Sequence, residues 1–238
     1  MTYNSARHAW EAELIRFAVI RAVAIVITRL LCTHRVEGRH HLPRSGPYIL
    51  AVNHLGMLDL PLVYSELGNP EIAGWVAEKW EHDWLLGPFM RAANAIFIQR
   101  GKVDRTALDA AVAWLRSGKV FGMAPEGTRS PTHQLTRGKS GIVYLAQQAG
   151  VPIVPAACVN TEDALPALLR LRPKHAILRI GEPFRLPPID PARRDEATRQ
   201  QTDEVMCRIA LLLPERYHGV YANHPRLQAL RASRPGEG

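Results

Sequence analysis

The stretch ILAVNHLGMLDLP, residues 49–61, decides how the rest of the chain is read. An apolar run stops at Asn53, His54 follows it, and Asp59 and then Pro61 come after. The run reads as a strand buried on both faces. DLP reads as a helix start, with Asp59 as N-cap and Pro61 in the first turn. The spacing of His54 and Asp59 fits neither element alone. Residues five apart on a continuous helix lie about 140° around the axis. On a strand, an odd offset sends them to opposite faces. The two meet only if the chain turns between them, and Gly56 supplies a permissive backbone for that turn. Taken alone, His54 is more often a surface or satisfied core histidine, and Asp59 has capping as an ordinary role.

Working outward, apolar runs alternate with helical patterns. Strands are expected at 48–52, 72–77, 95–99, 120–124, 151–159 and 175–181, the fifth near an edge or irregular because it holds two prolines. Helices are expected at 10–31, 59–67, 83–94, 104–117 (N-cap Asp104), 139–149 (closed by Gly150) and from Asp190-Pro191 to Leu213. This alternation specifies an α/β fold: a single mixed, largely parallel sheet flanked by helices, with an N-terminal membrane-interfacial helical segment. Residues 1–34 are expected to form that amphipathic segment, 35–214 the α/β domain, and 215–238 a loosely held tail.

Composition narrows the partners. The 238 residues carry 30 Lys plus Arg against 22 Asp plus Glu, a formal charge of +8 that favours anionic partners. Without an RNA-binding signature or zinc-finger spacing, nucleic acid is set aside. Cys32, Cys158 and Cys207 are dispersed and odd in number, which fits neither a disulfide framework nor a zinc site. In WEAELIRFAVIRAVAIVITRLL (10–31), Arg16, Arg21 and Arg29 interrupt the apolar residues, so the segment fails as a spanning helix. It also lacks a small-residue cleavage site of the signal-peptide kind. Two readings remain: a helix lying in the membrane interface with its arginines reaching lipid phosphates, or a core helix.

Polar clusters fall behind three of the strands: NHLGMLD after YILAV, Gln99-Arg100 at the end of AIFIQ, and PEGTRS (125–130) after VFGMA. The C-terminal ends of parallel strands share one edge, and ligands bind there in open α/β sheets. A neutral imidazole accepts a proton near pH 7, and a carboxylate on its other nitrogen fixes the tautomer. No G-x-S-x-G elbow is present, so the hydroxyl to be activated belongs to the substrate, attacking an already activated acyl group. Arg100 and Arg129 suit a phosphate, and Gly127 and Thr128 let backbone N–H groups approach an anion. Arg100 as a surface charge, and Glu126 with Arg129 as a structural ion pair, remain open alternatives. RGKSG (137–141) lacks the first glycine of a P-loop, and EHD (81–83) lacks a second ligand pair, so no metal is assigned.

Together these blocks resemble the glycerophospholipid acyltransferase family, of the 1-acyl-sn-glycerol-3-phosphate acyltransferase kind. N-H-x-x-x-x-D is matched by Asn53, His54 and Asp59, F-I-x-R by FIQR ending at Arg100, and F-P-E-G-T-R-S by APEGTRS. V-P-I-V-P is matched by Val151–Pro155, and the family's Lys-x-Glu segment by AEKWE around Lys79. The resemblance implies transfer of a fatty acyl group from acyl-CoA or acyl-carrier protein to the hydroxyl of 1-acyl-sn-glycerol-3-phosphate, giving phosphatidate for phospholipid biosynthesis. It implies no metal and no cofactor beyond the acyl donor as co-substrate. Its partners are membrane lipids and the lysophospholipid acceptor, and its place is peripheral, or monotopic, on the cytoplasmic face of the cell membrane.

By the same resemblance His54 is the general base and Asp59 orients it. Arg100 holds the acceptor phosphate, and Asn53, Lys79, Glu126, Gly127, Thr128 and Arg129 bind the acceptor or support the site. The fourth block serves acyl-donor binding or strand structure. Gly56 stands where many members have Ser, Gln99 replaces a common Asp, Ala124 replaces Phe, and Asn160 stands where Gly-Thr is usual. These departures keep a second acceptor class open: an acyl-ornithine, a glycolipid or another lysophospholipid.

Overall fold

The structure, a computed structural model, describes residues 3–67, 71–84, 86–99, 101, 102, 104–170 and 174–233, with backbone alone for 3–13 and 168. The strands are β1 (Cys32–Glu37), β2 (Ile49–Val52), β3 (Ile72–Ala77), β4 (Ala95–Ile98), β5 (Val120–Met123), β6 (Ile153–Val159) and β7 (Lys174–Ile180). The helices are α1 (Tyr3–Leu31), α2 (Asp59–Glu66), α3 (Leu86–Ala92), α4 (Arg105–Arg116), α5 (Gly141–Ala149), α6 (Ala164–Leu169), α7 (Arg194–Leu212) and α8 (Pro225–Ala232). The strands form one sheet in the order β1-β7-β6-β2-β5-β3-β4, and every neighbouring pair is parallel except β6 with β7.

Period-two alternation supplies two cores from the same strands. Ile49, Ala51, Phe121, Met123, Ile153 and Ala157 face one side, with residues of α4, α5, α7 and α8. Leu50, Val52, Val120, Val154, Ala156 and Cys158 face the other, with residues of α1 and α2. Both faces are therefore covered, which is why the central strands are almost wholly apolar. Helix ends follow their local chemistry. Asp104 caps α4 by accepting from Ala107 N at 3.0 Å, and Gly150 closes α5 at φ 65°.

β2 and β5 are parallel neighbours at the centre, with Ile49 opposite Phe121 and Ala51 opposite Met123. The chain leaving β2 enters α2 on one face of the sheet, whereas the chain leaving β5 reaches α5 on the other. Their C-terminal ends thus form a switch point, where diverging connections open a crevice.

Four expectations are corrected. β6 is an interior strand between β7 and β2, buried along its whole length. Its prolines are tolerated because Pro152 precedes the strand and Pro155 lies where the β7 register slips, between Ala156↔Ile180 and Ile153↔Phe184. At such a slip a missing N–H removes no ladder bond. β1 (CTHRVE) received no strand assignment from the sequence; its alternation is masked by His34, which is paired with Glu66 at 2.9 Å. The stretch 215–233 is not loose: Tyr217, Tyr221, Leu227 and Leu230 are buried, and Tyr221 Oη accepts from Gly138 N at 3.1 Å. Finally, the arginines of α1 do not all point outward. Arg16 donates to Asn94 Oδ1 at 2.8 Å, and Arg21 to the Ser65 carbonyl in the last turn of α2 at 3.2 Å.

α1 packs on the domain along one stripe and leaves a second apolar stripe exposed. Phe17, Ile20, Ala24, Thr28 and Leu31 form its inner stripe. Ile15, Val19, Val23, Val26 and Leu30 form an outer stripe, 39–66 % exposed. Among the described residues no helix is long and apolar enough to cross a membrane.

Candidate active site

The site begins where β2 stops. Asn53 is fully buried, and its side chain continues the ladder to β6: Nδ2 donates to the Cys158 carbonyl at 3.0 Å and Oδ1 accepts from Cys158 N at 2.7 Å. Asn53 thus latches two strands beside the histidine, and both its polar atoms are used in doing so.

His54 is held on three sides. Its N–H donates to Glu126 Oε1 at 3.1 Å, and its carbonyl accepts from Ser130 N at 2.9 Å. Its Nδ1 lies 2.8 Å from Asp59 Oδ2. The intervening turn brings the pair together as the spacing requires. Asp59 is not an N-cap, however. α2 begins at Asp59 itself, and Oδ2 reaches back to the N–H groups of Leu55 at 2.8 Å and Gly56 at 2.9 Å. The Thr161 hydroxyl donates to Oδ1. Two backbone N–H donors and a hydroxyl already suit this carboxylate as an acceptor, so Nδ1 carries the ring proton and Nε2 the lone pair. The His54 side chain is 19 % exposed and that of Asp59 3 %, and among the described residues none hydrogen-bonds Nε2. Nε2 is thus left without a protein partner on a partly exposed ring whose other nitrogen rests on a buried carboxylate.

The PEGTRS loop lies across the crevice. Glu126 is buried, and its Oε2 accepts from Thr136 N at 2.9 Å and Thr136 Oγ1 at 3.0 Å. With Oε1 on the His54 amide, Glu126 joins the two loops and presents no oxygen to an acceptor. Among the described residues it forms no ion pair with Arg129. Burial raises its pKa above the ordinary carboxyl value, against the lowering effect of these hydrogen bonds. Gly127 adopts φ 71°, and the space a Cβ would fill is taken by the Lys139 side chain. Thr128 and Arg129 are exposed beside it.

The remaining expected residues divide. Lys79 is exposed on the turn after β3, its Nζ 4.9 Å from the Trp80 ring centroid, at the same sheet edge as His54 but with β5 between β3 and β2. Gln99 donates to Glu78 Oε1 at 3.3 Å, tying the end of β4 to that turn. Arg100 lies outside the described residues. Side chains offering an enzyme nucleophile are absent from the dyad: Ser130 is buried and its Oγ accepts from Gln134 N at 3.1 Å. Cys158 is buried, and burial, then the Asp59 charge, raises its thiol well above the ordinary range.

Sequence reasoning missed Thr161 and Thr136. Thr161 stands just past the end of β6, on the edge that carries the other clusters, so the strand-end rule locates it once β6 is central. Its carbonyl also explains Gly56: a Cβ there would stand 2.7 Å from Thr161 O.

The acyltransferase family profile matches residues 33–159. The chain is 30 % identical over 153 residues to a 1-acyl-sn-glycerol-3-phosphate acyltransferase of Saccharomyces cerevisiae, covering 62 % of this chain and 48 % of that protein. It is 32 % identical over 146 residues to the human alpha form, covering 54 % and 46 %. With the Bacillus subtilis 1-acyl-sn-glycerol-3-phosphate acyltransferase it shares 26 % over 152 residues, covering 63 % and 73 %. The chain thus spans about half the length of the yeast and human relatives. The crystal structure of the 1-acyl-sn-glycerophosphate acyltransferase of Thermotoga maritima superposes with a TM-score of 0.64 at 22 % identity, covering 96 % of this chain and 85 % of that one, which establishes a shared fold.

Proposed function

The chain belongs to the acyltransferase family, and on that premise we propose that it transfers a fatty acyl group from acyl-CoA or acyl-carrier protein to the free hydroxyl of 1-acyl-sn-glycerol-3-phosphate, yielding phosphatidate. The observation that carries this reading is His54 at the sheet's switch point, partly exposed, with Nδ1 on a buried carboxylate and no protein partner on Nε2 among the described residues. Nε2 takes the acceptor's hydroxyl proton as that oxygen attacks the thioester carbonyl. The tetrahedral intermediate collapses with cleavage of the C–S bond, and the thiolate leaves with the proton from Nε2. Asp59 keeps the proton on Nδ1 and stabilises the transient imidazolium. A thioester is already activated, and neither Ser130 nor Cys158 is disposed as a nucleophile, so transfer is direct, without an acyl-enzyme.

The acceptor is chosen because the yeast, human and Bacillus relatives are named for it. Arg129, exposed beside Gly127, and Arg100 are the phosphate ligands we assign. The outer stripe of α1, with exposed Leu165 and Leu169 on α6, supports peripheral attachment to a membrane, and we assign its cytoplasmic face.

The test is phosphatidate formation by the purified chain with labelled acyl-CoA and lysophosphatidate in vesicles. His54→Ala is expected to lower turnover roughly 10²–10⁴-fold while membrane binding persists. Undiminished turnover in that variant, or acyl exchange on the enzyme without acceptor, contradicts the mechanism. Including acyl-ornithine, glycolipid and other lysophospholipid acceptors decides the headgroup: equal turnover of acceptors without phosphate removes the phosphate assignment.

A further inference from the structure

We propose that Thr161 is a positioning residue for the His54–Asp59 pair, a third member of the chain that aims the imidazole; the proposal rests on the general-base role given to His54 above. The two oxygens of Asp59 have different partners. Oδ2 receives three N–H groups, from His54 Nδ1, Leu55 and Gly56, all within its own turn. Donors converging on one oxygen leave the carboxylate plane able to pivot about that point, and the Asp χ2 torsion is intrinsically broad. Oδ1 is the second anchor, and its partner is the hydroxyl of Thr161, 102 residues further along the chain. Fixing both oxygens fixes the plane, hence the direction of the Oδ2 lone pairs, hence the tilt of the ring whose Nδ1–H they accept.

Thr161 is itself rigidly placed. It is 1 % exposed, and its carbonyl abuts Gly56. The preceding Asn160, in the left-handed region at φ 59°, receives Arg216 on Oδ1 at 2.7 Å and donates through Nδ2 to the His175 carbonyl at 3.1 Å. A hydroxyl so supported acts as a fixed reference for the catalytic group it touches. The strand of the fourth block, β6, therefore has a role beyond packing: its end carries this reference, and its Cys158 backbone holds Asn53 on the other side of the histidine.

The test uses the full chain with Thr161→Val, Thr161→Ala and Thr161→Ser, each alone and, for the valine, combined with Asp59→Asn. Loss of a hydrogen bond to a charged group predicts a kcat roughly 10- to 100-fold lower for the Val and Ala variants. KM for donor and acceptor should stay within about twofold, with Ser restoring kcat to within about threefold. In the Asp59→Asn background Thr161→Val should have no further effect. Equal losses in both backgrounds, a wild-type kcat in Thr161→Val, or a Ser variant as impaired as Ala would overturn the proposal. Proton NMR supplies a readout independent of turnover: the downfield Nδ1–H signal of His54, assigned by its absence in His54→Ala, should disappear in Thr161→Val and Thr161→Ala and persist in Thr161→Ser. An unchanged signal in the Val and Ala variants sinks the positioning role. Absence of acyl transfer by a wild-type protein that shows the signal sinks the functional reading instead. If the valine variant does not fold, the alanine and serine pair makes the same comparison.

Discussion

Glu126 is 1 % exposed and accepts three hydrogen bonds, one from the His54 amide and two from Thr136. The motif name attached to such a residue leads one to look for a ligand, but both oxygens are occupied by the protein. Its role is to keep the two loops of the crevice in register. Glu126→Gln places an NH2 where one of these N–H donors points, leaving a buried donor unsatisfied. The expected cost is about 1–3 kcal/mol of stability, with a loss of turnover larger than any change in KM, measured by urea unfolding and steady-state kinetics. The pH dependence follows from its raised pKa. A raised carboxyl pKa means the folded state holds the proton longer, so the group's contribution is full below the ordinary carboxyl range and declines as pH rises through the raised value. The stability difference between wild type and Glu126→Gln should therefore shrink with increasing pH across that window. A difference that grows with pH contradicts this account.

Helix α1 was legible as an apolar, arginine-interrupted helix, but not which way its faces turn. Period 3.6 identifies stripes without assigning them. The choice came from α2: Arg21 seats on the Ser65 carbonyl in its last turn, and Ile20, Ala24 and Thr28 pack inward, so Val19, Val23 and Val26 are left outward. Val19→Asp with Val23→Asp should weaken binding to anionic vesicles roughly tenfold per substitution, while unfolding midpoints remain close to wild type. Sedimentation with lipid vesicles reads the first and thermal denaturation the second. Undiminished binding removes the outer stripe as the contact. The same distinction applies to β6, whose prolines left an edge or an irregular strand open: it is interior, with Pro155 alone at a register slip.

Seen entire, the molecule supports its site from behind with the helices that follow the sheet. α7 packs on the same face as Ile49, Phe121 and Ile153, α8 packs on α7, and Leu227 of α8 is fully buried in that core. Gly138 shows how closely this layer fits, since a Cβ there would meet Met206 and Thr202 of α7 within 3 Å. Leu227→Ala should lower stability by about 2–5 kcal/mol through the cavity it opens. Turnover per folded molecule should change little, because none of the hydrogen bonds that hold His54 and Asp59 comes from α8. Unfolding by denaturant and active-site titration separate the two quantities, and a stability loss below about 1 kcal/mol would mean that the C-terminal layer is peripheral.

Alternating apolar runs, turn glycines and capping aspartates specified an α/β sheet and the strand ends where chemistry gathers, because these signals act over a few neighbouring residues. The His54–Asp59 contact belongs to that class, since one turn spanned by Gly56 suffices to form it. Which motif residues are exposed and which are bound to protein was decided by the tertiary structure alone. Asn53 is buried because β6 lies against β2, Glu126 because the loop after β5 folds over the one after β2, and Thr161 reaches Asp59 across 102 residues for the same reason. Strand order sets those pairings, and strand order is a property of long-range packing that no local pattern encodes.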